Sequence, residues 1–221
     1  LNAARRYGQG LTVLALGPLT NIARAIEKDA AAMRSIGGIV MMGGDFRNHY
    51  AEWNICCDAE AASLVFSSGV SVTAFGHEVT SRMRLTHEEQ AYVFSMKQDA
   101  YHAYLAELSR LWYASKPDGW RMVLHDVMVV RYAVDPLYCR MERAPVAVEL
   151  KGRYTCGMTV NLSKMDNYRP GDGMPVYYAA EADAGEFISY FLSGIGYCHA
   201  PVQRPPRERG EISQIIRIRE E

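Results

Sequence analysis

The sequence predicts an α/β protein built on a mostly parallel open sheet with helices on both faces. Short apolar runs alternate along the chain with segments of helical periodicity, and glycine or proline bounds most of the runs. Parallel strands that are buried on both faces read as continuous apolar runs, and strand–helix–strand units close such a sheet through right-handed crossovers. A chain of 221 residues is long enough to bury a sizeable core.

The predicted elements follow from the boundaries of these runs. Gly17-Pro18 ends the first strand, Gly43-Gly44 ends the second, and Asp58 is a good N-cap for the helix that follows. Thr86 and Glu89 form a capping-box pattern at the start of a long helix. The predicted strands cover residues 11–16, 36–42, 70–75, 145–150 and 154–162, and the predicted helices cover residues 2–7, 19–28, 58–68, 86–107, 123–134 and 181–192.

Composition and charge exclude several classes of function. The formal net charge of −1 gives no electrostatic reason to bind nucleic acid or an anionic membrane. No apolar run is long enough to span a bilayer, and no signal peptide is visible. The five cysteines are odd in number and fit no zinc spacing, which predicts reduced thiols in a cytoplasmic protein.

One domain is predicted over residues 1–200, followed by a charged tail rich in proline and arginine over residues 201–221.

The segment AEWNICCDAEAA, residues 51–62, is the most informative stretch of the chain. Glu52 and Asn54 are two positions apart, so an extended backbone would place both side chains on one face. A polar pair between a strand and a helix lies where open α/β sheets bind small molecules, and a carboxylate beside a carboxamide suits a polyhydroxylated ligand. The alternative is a capped helix preceded by two solvated polar residues.

Two strand ends carry further candidate chemistry. The carbonyl oxygen of Leu16 is freed where the first strand ends, and such oxygens are hard ligands that suit calcium. Met42 precedes Gly43-Gly44, where a ligand can approach the backbone and the thioether can lie against a sugar. Simple tight turns at both places are the alternatives.

The pair His125-Asp126 opens a predicted helix. The histidine can act as an acid near neutral pH, while the carboxylate can hold a metal or only cap the helix. A phosphohydrolase of the HD type is disfavoured, because His87 and His102 do not supply the further ligands in the required pattern.

Five segments in one order resemble the inosine–uridine preferring nucleoside hydrolase family. They are LALGPLTNIA (14–23), IVMMGG (39–44), AEWNICCDAEAA (51–62), GHEVTSRMRLT (76–86) and LHD (124–126). CGMTVNL (156–162) is similar to a late segment of the same family. The resemblance runs from about residue 11 to about residue 195 and implies the Rossmann-like open sheet of that family.

The resemblance implies calcium-dependent hydrolysis of the N-glycosidic bond of ribonucleosides to ribose and a free base. The transition state would resemble an oxocarbenium ion, as in other glycoside hydrolyses. By position, the Leu16 carbonyl and the Asp126 carboxylate would be calcium ligands, and His125 would protonate the leaving base. Family members are commonly homodimers or homotetramers, which is the assembly that the resemblance implies here.

The same resemblance assigns the substrate contacts. Glu52 and Asn54 would bind ribose hydroxyls, Met42 would lie beneath the sugar, and Asn48 is a further candidate ribose ligand. Trp53 lies where the family often has an aromatic residue near the nucleoside. For Tyr113, which precedes the His-Asp pair, contact with the base and packing in a helix core both stay open.

One departure separates the chain from the family pattern. The family's N-terminal DxDxxxDD cluster, which supplies most calcium ligands and the general base, has no match in these 221 residues. We therefore expect that an N-terminal portion of the fold is missing and that calcium binding by this chain alone is weak or absent. The alternative function is a catalytically inactive relative that binds ribose or a protein partner. A generic nucleotide-binding domain is disfavoured, because no glycine fingerprint follows the first strand.

Overall fold

The computed structural model describes residues 1–197. Its helices are α1 (Asn2–Tyr7), α2 (Thr20–Lys28), α3 (Ala30–Arg34), α4 (Trp53–Cys56), α5 (Ala59–Ser67), α6 (His77–Thr80), α7 (His87–Ser95), α8 (Ala100–Tyr113), α9 (His125–Val134) and α10 (Ala184–Gly194). Its strands are β1 (Thr12–Ala15), β2 (Gly38–Met42), β3 (Val72–Phe75), β4 (Cys139–Val148), β5 (Thr159–Asn161) and β6 (Met174–Ala182). The predicted α/β class is confirmed.

The described strands form one mixed sheet in the order β1-β2-β3-β6-β4-β5. Strands β1, β2, β3 and β6 are parallel, whereas β4 runs antiparallel to both of its neighbours. Met42, the last residue of β2, pairs with Phe75 at the end of β3. The carboxyl ends of the parallel strands therefore lie along one edge, which is the edge where open α/β sheets bind ligands.

Strand β2 is buried along its whole length, and its two faces pack against different helices. Ile39 and Met41 belong to the core cluster that includes buried residues of α2 and α5, such as Val65. Because side chains alternate along a strand, Val40 and Met42 point to the opposite face, and α9 packs against β2. Helices on both faces of the sheet agree with the prediction.

The chain divides into two compact units. The first comprises Leu1–Leu85 and Arg121–Ala182 and contains the sheet. The second comprises Thr86–Trp120 together with the residues from Asp183 onward. Within it, Arg110 of α8 donates to the Phe94 carbonyl at 2.6 Å, and the Tyr92 hydroxyl donates to the Ile195 carbonyl at 3.1 Å. The single domain over residues 1–200 stays a prediction, and the tail over 201–221 lies outside the described residues.

No helix in the described part of the chain is long and apolar enough to cross a membrane. Residues 86–107 are largely helical, as predicted, and Thr86 and Glu89 form the predicted capping box, but the segment holds two helices because α7 ends at Ser95 and α8 begins at Ala100. The Asp99 side chain accepts the His102 backbone N–H at 2.9 Å and so caps a new helix.

Strand β6 is not among the strands predicted from the sequence. Its residues pair in parallel with β3 and antiparallel with β4, so the strand is held between two others. Glu181, which was predicted to open the last helix, belongs to this strand, and the helix begins after the N-cap Asp183. The strand predicted over residues 154–162 is also too long, because residues 153–157 form a turn and β5 begins at Thr159.

Candidate functional site

Glu52 is the N-cap of the one-turn helix α4, directly beyond the carboxyl end of β2. Its Oε2 atom accepts backbone N–H groups from Gly44 at 3.1 Å, Asn54 at 3.0 Å and Ile55 at 3.3 Å. The residue is 4% exposed. The prediction that Glu52 and Asn54 share one face of an extended segment is wrong, because Asn54 is helical and the Glu52 carboxylate caps its amide.

Burial raises the pKa of the Glu52 carboxyl above its usual value. The three backbone donors and the nearby His77 act in the opposite direction, because each favours the charged carboxylate. All three hydrogen bonds that the described residues give this carboxylate end on Oε2. Oε1 is therefore the carboxylate oxygen that can accept a hydrogen bond from a ligand hydroxyl.

Asn54 ties α4 to the end of strand β2. Its Nδ2 atom donates to the Met42 carbonyl at 3.1 Å and lies 3.5 Å from the Met42 sulfur. With Nδ2 held in this way, the Oδ1 atom of Asn54 is its remaining polar atom. The structure thus brings Met42, Glu52 and Asn54 together at one strand end.

The backbone at Gly44 makes this arrangement possible. Gly44 has φ +83°, a left-handed conformation that residues with a Cβ rarely adopt, and an added Cβ would lie 3.0 Å from Thr159 Cγ2. Its amide reaches Glu52, while its carbonyl accepts the His77 backbone N–H at 2.8 Å. One glycine therefore connects the Glu52 cap to the loop that follows β3.

Asn48 lies in a loop that a buried carboxylate organises. Asp45 is 1% exposed and accepts the backbone N–H of Arg47 at 3.1 Å and of Asn48 at 2.7 Å. The Asn48 side chain also donates to Asp45, at 3.1 Å, so its Nδ2 is already engaged. Thr159 fixes the base of the loop, because its hydroxyl accepts the Asp45 N–H at 2.8 Å and donates to the Asp45 carbonyl at 2.7 Å.

His125 is the first residue of α9 and faces two other side chains. Its Nδ1 atom lies 2.8 Å from the hydroxyl of Thr80, which is fully buried. Its ring is stacked on His77 at 5.8 Å between centroids, and His77 in turn contacts Tyr50 at 4.5 Å. Burial, with the positive charges of His77 and Arg84, lowers the pKa of His125 to about 4, so the free imidazole is neutral at pH 7.

The comparisons with known proteins identify the family of the chain. The family model described as "Inosine-uridine preferring nucleoside hydrolase" matches residues 1–189. The chain belongs to this family.

A curated relative of the same description from Leishmania major is 33% identical over 156 residues, which cover 68% of this chain and 49% of the relative. "Probable uridine nucleosidase 1" from Oryza sativa subsp. japonica is 30% identical over 203 residues, covering 86% of this chain and 62% of that protein. The solved structure of a purine-preferring ribonucleoside hydrolase from Gardnerella vaginalis matches with a TM-score of 0.75 at 29% identity, covering 89% of this chain and 64% of that one. The chain therefore spans roughly half to two thirds of the length of these nucleoside hydrolase relatives.

The nucleoside hydrolase resemblance implied a calcium site, and the residues described here do not complete one. Leu16 follows β1 and is 42% exposed, and Asp126 is exposed at the start of α9, where partial burial of its carboxyl raises its pKa. Calcium takes six to eight oxygen ligands. Within residues 1–197, no three His, Cys, Asp or Glu side chains come together as a set that could hold a metal ion.

The two aromatic candidates have different surroundings. Trp53 lies in α4 between Glu52 and Asn54 and is 73% exposed. Tyr113 ends helix α8 of the second unit, where its hydroxyl donates to the Trp120 carbonyl at 2.6 Å and its ring lies 5.1 Å from that of Phe94. These contacts support the packing role that the sequence left open for Tyr113.

Sequence reasoning missed several residues that shape this part of the nucleoside hydrolase fold. Glu78 accepts the Phe46 N–H at 3.2 Å through Oε1, while its Oε2 is buried with no hydrogen-bond partner among the described residues. Burial, and then the neighbouring charge of Asp45, raise the pKa of Glu78 to about 7. The segment GHEVTSRMRLT contains His77, Glu78 and Thr80. Its place directly after a predicted strand was the sequence signal that could have marked these residues as candidates for the site.

Proposed function

We propose that the protein containing this chain hydrolyses the N-glycosidic bond of ribonucleosides and releases ribose and a free base. The observation that carries the proposal is the cluster of Met42, Glu52 and Asn54 at the carboxyl end of β2, in a chain of the nucleoside hydrolase family. A carboxylate and a neighbouring carboxamide, each with one oxygen that receives no hydrogen bond from residues 1–197, suit two hydroxyls of one sugar.

Each residue of the cluster has a role that its contacts support. Oε1 of Glu52 and Oδ1 of Asn54 accept hydrogen bonds from ribose hydroxyls, and the Met42 side chain lies beneath the sugar. Asn48 has Oδ1 available for a further hydroxyl, since its Nδ2 is held by Asp45. Three backbone N–H groups hold the Glu52 carboxylate in place, so it does not have to reorient when ribose binds. A preorganised acceptor of this kind favours an oxocarbenium-like transition state.

His125 acts on the departing base in this proposal. If the Thr80 hydroxyl donates to Nδ1, the neutral imidazole carries its proton on Nε2. That N–H donates a hydrogen bond to the base, and negative charge grows on the base as the glycosidic bond lengthens. Trp53, exposed beside both sugar ligands, is positioned to cover the bound nucleoside.

Calcium dependence stays part of the proposal and needs oxygen ligands beyond Leu16 and Asp126. The acidic cluster through which the family activates water has no counterpart in the sequence, so no residue of this chain is given that role. Assembly as a homodimer or homotetramer and location in the cytoplasm also stay proposals. The named relatives act on inosine, uridine or purine nucleosides, and no base preference is carried over from them.

A second candidate function is ribose binding without hydrolysis. The incomplete metal ligand set among residues 1–197 favours it. It would use Glu52, Asn54 and Met42 in the same way, with His125 contributing only a hydrogen bond. Turnover therefore separates the two candidates, whereas ribose binding does not.

The deciding experiment measures release of p-nitrophenol from its riboside by the 221-residue chain, with calcium and with a chelator. Calcium-dependent turnover that is lost in His125→Ala and kept in His87→Ala, an exposed histidine of α7, supports the hydrolase. Ribose binding by calorimetry without turnover supports the second candidate. If this chain shows neither binding nor turnover, ribose binding by these residues is contradicted, and hydrolysis would need the acidic cluster that the 221 residues do not contain.

A further inference from the structure

Three exposed thiols lie close to the proposed sugar site, outside any role given above. Cys56 is the last residue of α4, Cys57 follows it, and Cys156 lies in the turn before β5, and all three are exposed free cysteines. The fourth described cysteine, Cys139, is buried. The two exposed segments are a hundred residues apart in sequence, so any contact between them is made by the fold.

Gly157 brings these segments into direct backbone contact. It is buried and has φ +84°, and a Cβ built on it would lie 2.8 Å from the Cα and 3.2 Å from the Cβ of Cys56. No side chain fits between the two backbones. The turn before β5 therefore rests on the side of α4 that carries the Cys56 side chain.

The contact at Gly157 sets an upper bound on the distance between the Cα atoms of Cys156 and Cys56. Consecutive Cα atoms are about 3.8 Å apart, so the Cα atoms of Cys156 and Cys56 are within roughly 8 Å of each other. A disulfide needs Cα atoms about 4.4 to 6.8 Å apart. The upper bound exceeds this range by about 1 Å, and Cys156 lies in an exposed turn, in which Arg153, Tyr154 and Thr155 are also exposed.

We propose that Cys56 and Cys156 are a modification site, at which a peroxide forms a reversible disulfide that ties the 152–158 turn to α4. One thiolate attacks the O–O bond of hydrogen peroxide, giving a sulfenic acid and hydroxide, which takes up the thiol proton to become water. The second thiol then displaces water from the sulfenic acid and forms the S–S bond. In total, two thiols and one peroxide give one disulfide and two waters, with two electrons passing from sulfur to oxygen.

The position of Cys56 gives this bond a consequence for the site. Its backbone N–H donates to the Glu52 carbonyl at 2.8 Å, so α4 is a single turn with Glu52 at one end and Cys56 at the other. A disulfide that displaces Cys56 therefore also displaces Glu52 and Asn54, because all three residues belong to that turn. The effect on turnover rests on the proposed function, whereas the disulfide itself does not.

The test treats the reduced 221-residue protein with hydrogen peroxide, blocks free thiols with N-ethylmaleimide and maps tryptic peptides without reduction. The expected product links the peptide of residues 48–82 to that of residues 154–164, and dithiothreitol reverses it. Cys57→Ser should keep the link, because Cys57 lies on the same peptide but is not the partner. Cys56→Ser and Cys156→Ser should lose it, with far-ultraviolet circular dichroism confirming that both variants fold.

A link that is absent from the wild type, or that persists in Cys56→Ser, would overturn the assignment of the pair. A bridge between Cys56 and Cys57 would do the same. Where the reduced protein turns over p-nitrophenyl riboside, oxidation should lower the rate several-fold in the wild type and leave Cys156→Ser unchanged. If the reduced protein has no turnover, hydrolysis by these 221 residues alone is contradicted, and the peptide map still decides the disulfide.

Discussion

The carboxylate of Glu52 accepts the backbone N–H of Gly44 at 3.1 Å. This hydrogen bond joins the cap of α4 to the turn after β2, eight residues earlier in the chain. It explains why a carboxylate that is 4% exposed can be tolerated at the end of the sheet, because buried charges need donors close by. The same bond leaves the other carboxylate oxygen available to a ligand.

Removal of the Glu52 carboxylate should destabilise the protein. Glu52→Ala leaves three backbone N–H groups without their acceptor, and we expect the free energy of unfolding to fall by about 2 kcal/mol. Glu52→Gln keeps an oxygen acceptor, so its free energy of unfolding should fall by less. Urea denaturation measures both, with Glu60→Ala on the exposed face of α5 as the control. Equal losses for Ala and Gln would contradict the capping role.

Glu78 should make stability depend on pH. The folded state raises its pKa from 4.5 to about 7, so the folded protein holds this proton more tightly than the unfolded chain. The contribution of protonated Glu78 to the free energy of unfolding is therefore complete below about pH 4.5 and is lost as the pH rises through about 7. Glu78→Gln should be more stable than the wild type at pH 8, and the difference should vanish by pH 4. Thermal melts across this range test the sign.

Thr80 should act by positioning His125. Thr80→Val keeps the shape of a fully buried side chain but removes the hydroxyl that lies 2.8 Å from Nδ1. If the protein is a hydrolase, kcat should fall several-fold with little change in KM, because the orientation of the imidazole matters most while the bond breaks. Thr80→Ser should restore the rate. A matching loss in both variants would point to packing instead.

Thr159 should hold the loop that carries Asn48. Thr159→Val removes a hydroxyl that both accepts from and donates to the Asp45 backbone, which should cost about 1–3 kcal/mol of unfolding free energy. Thr159→Ser retains both bonds and should recover most of it. Hydrogen exchange of the Asn48 amide, which donates to Asp45 at 2.7 Å, should become faster in Thr159→Val only.

The sequence predicted part of the sheet because some of its parallel strands are continuous apolar runs. Strands β2 and β3 follow from such runs, but β6 does not, since its alanine-rich stretch gains its strand character from pairing with β3 and β4. The break between α7 and α8 has a local cause, because Asp99 caps a new helix. The helical pattern continues across residues 86–107 and does not indicate this break.

At the site, residue identities were easier to predict than geometry. Glu52 and Asn54 are neighbours of Met42 as expected, yet they lie in a helix start rather than an extended segment. Asp45 looked isolated in the sequence, because its partner Thr159 is 114 residues away. Contacts of this kind arise from the order of strands, which no local pattern contains.

The exposure of Trp53 has a practical consequence for spectroscopy. Trp53 stands between the two proposed sugar ligands in the sequence and is 73% exposed, so its emission should respond when anything covers α4. The other two tryptophans, Trp112 and Trp120, lie in the second unit and can be replaced by phenylalanine to silence them. The resulting protein would carry Trp53 as its single tryptophan, and quenching of the tryptophan emission by iodide would report on occupancy of the site without any added label.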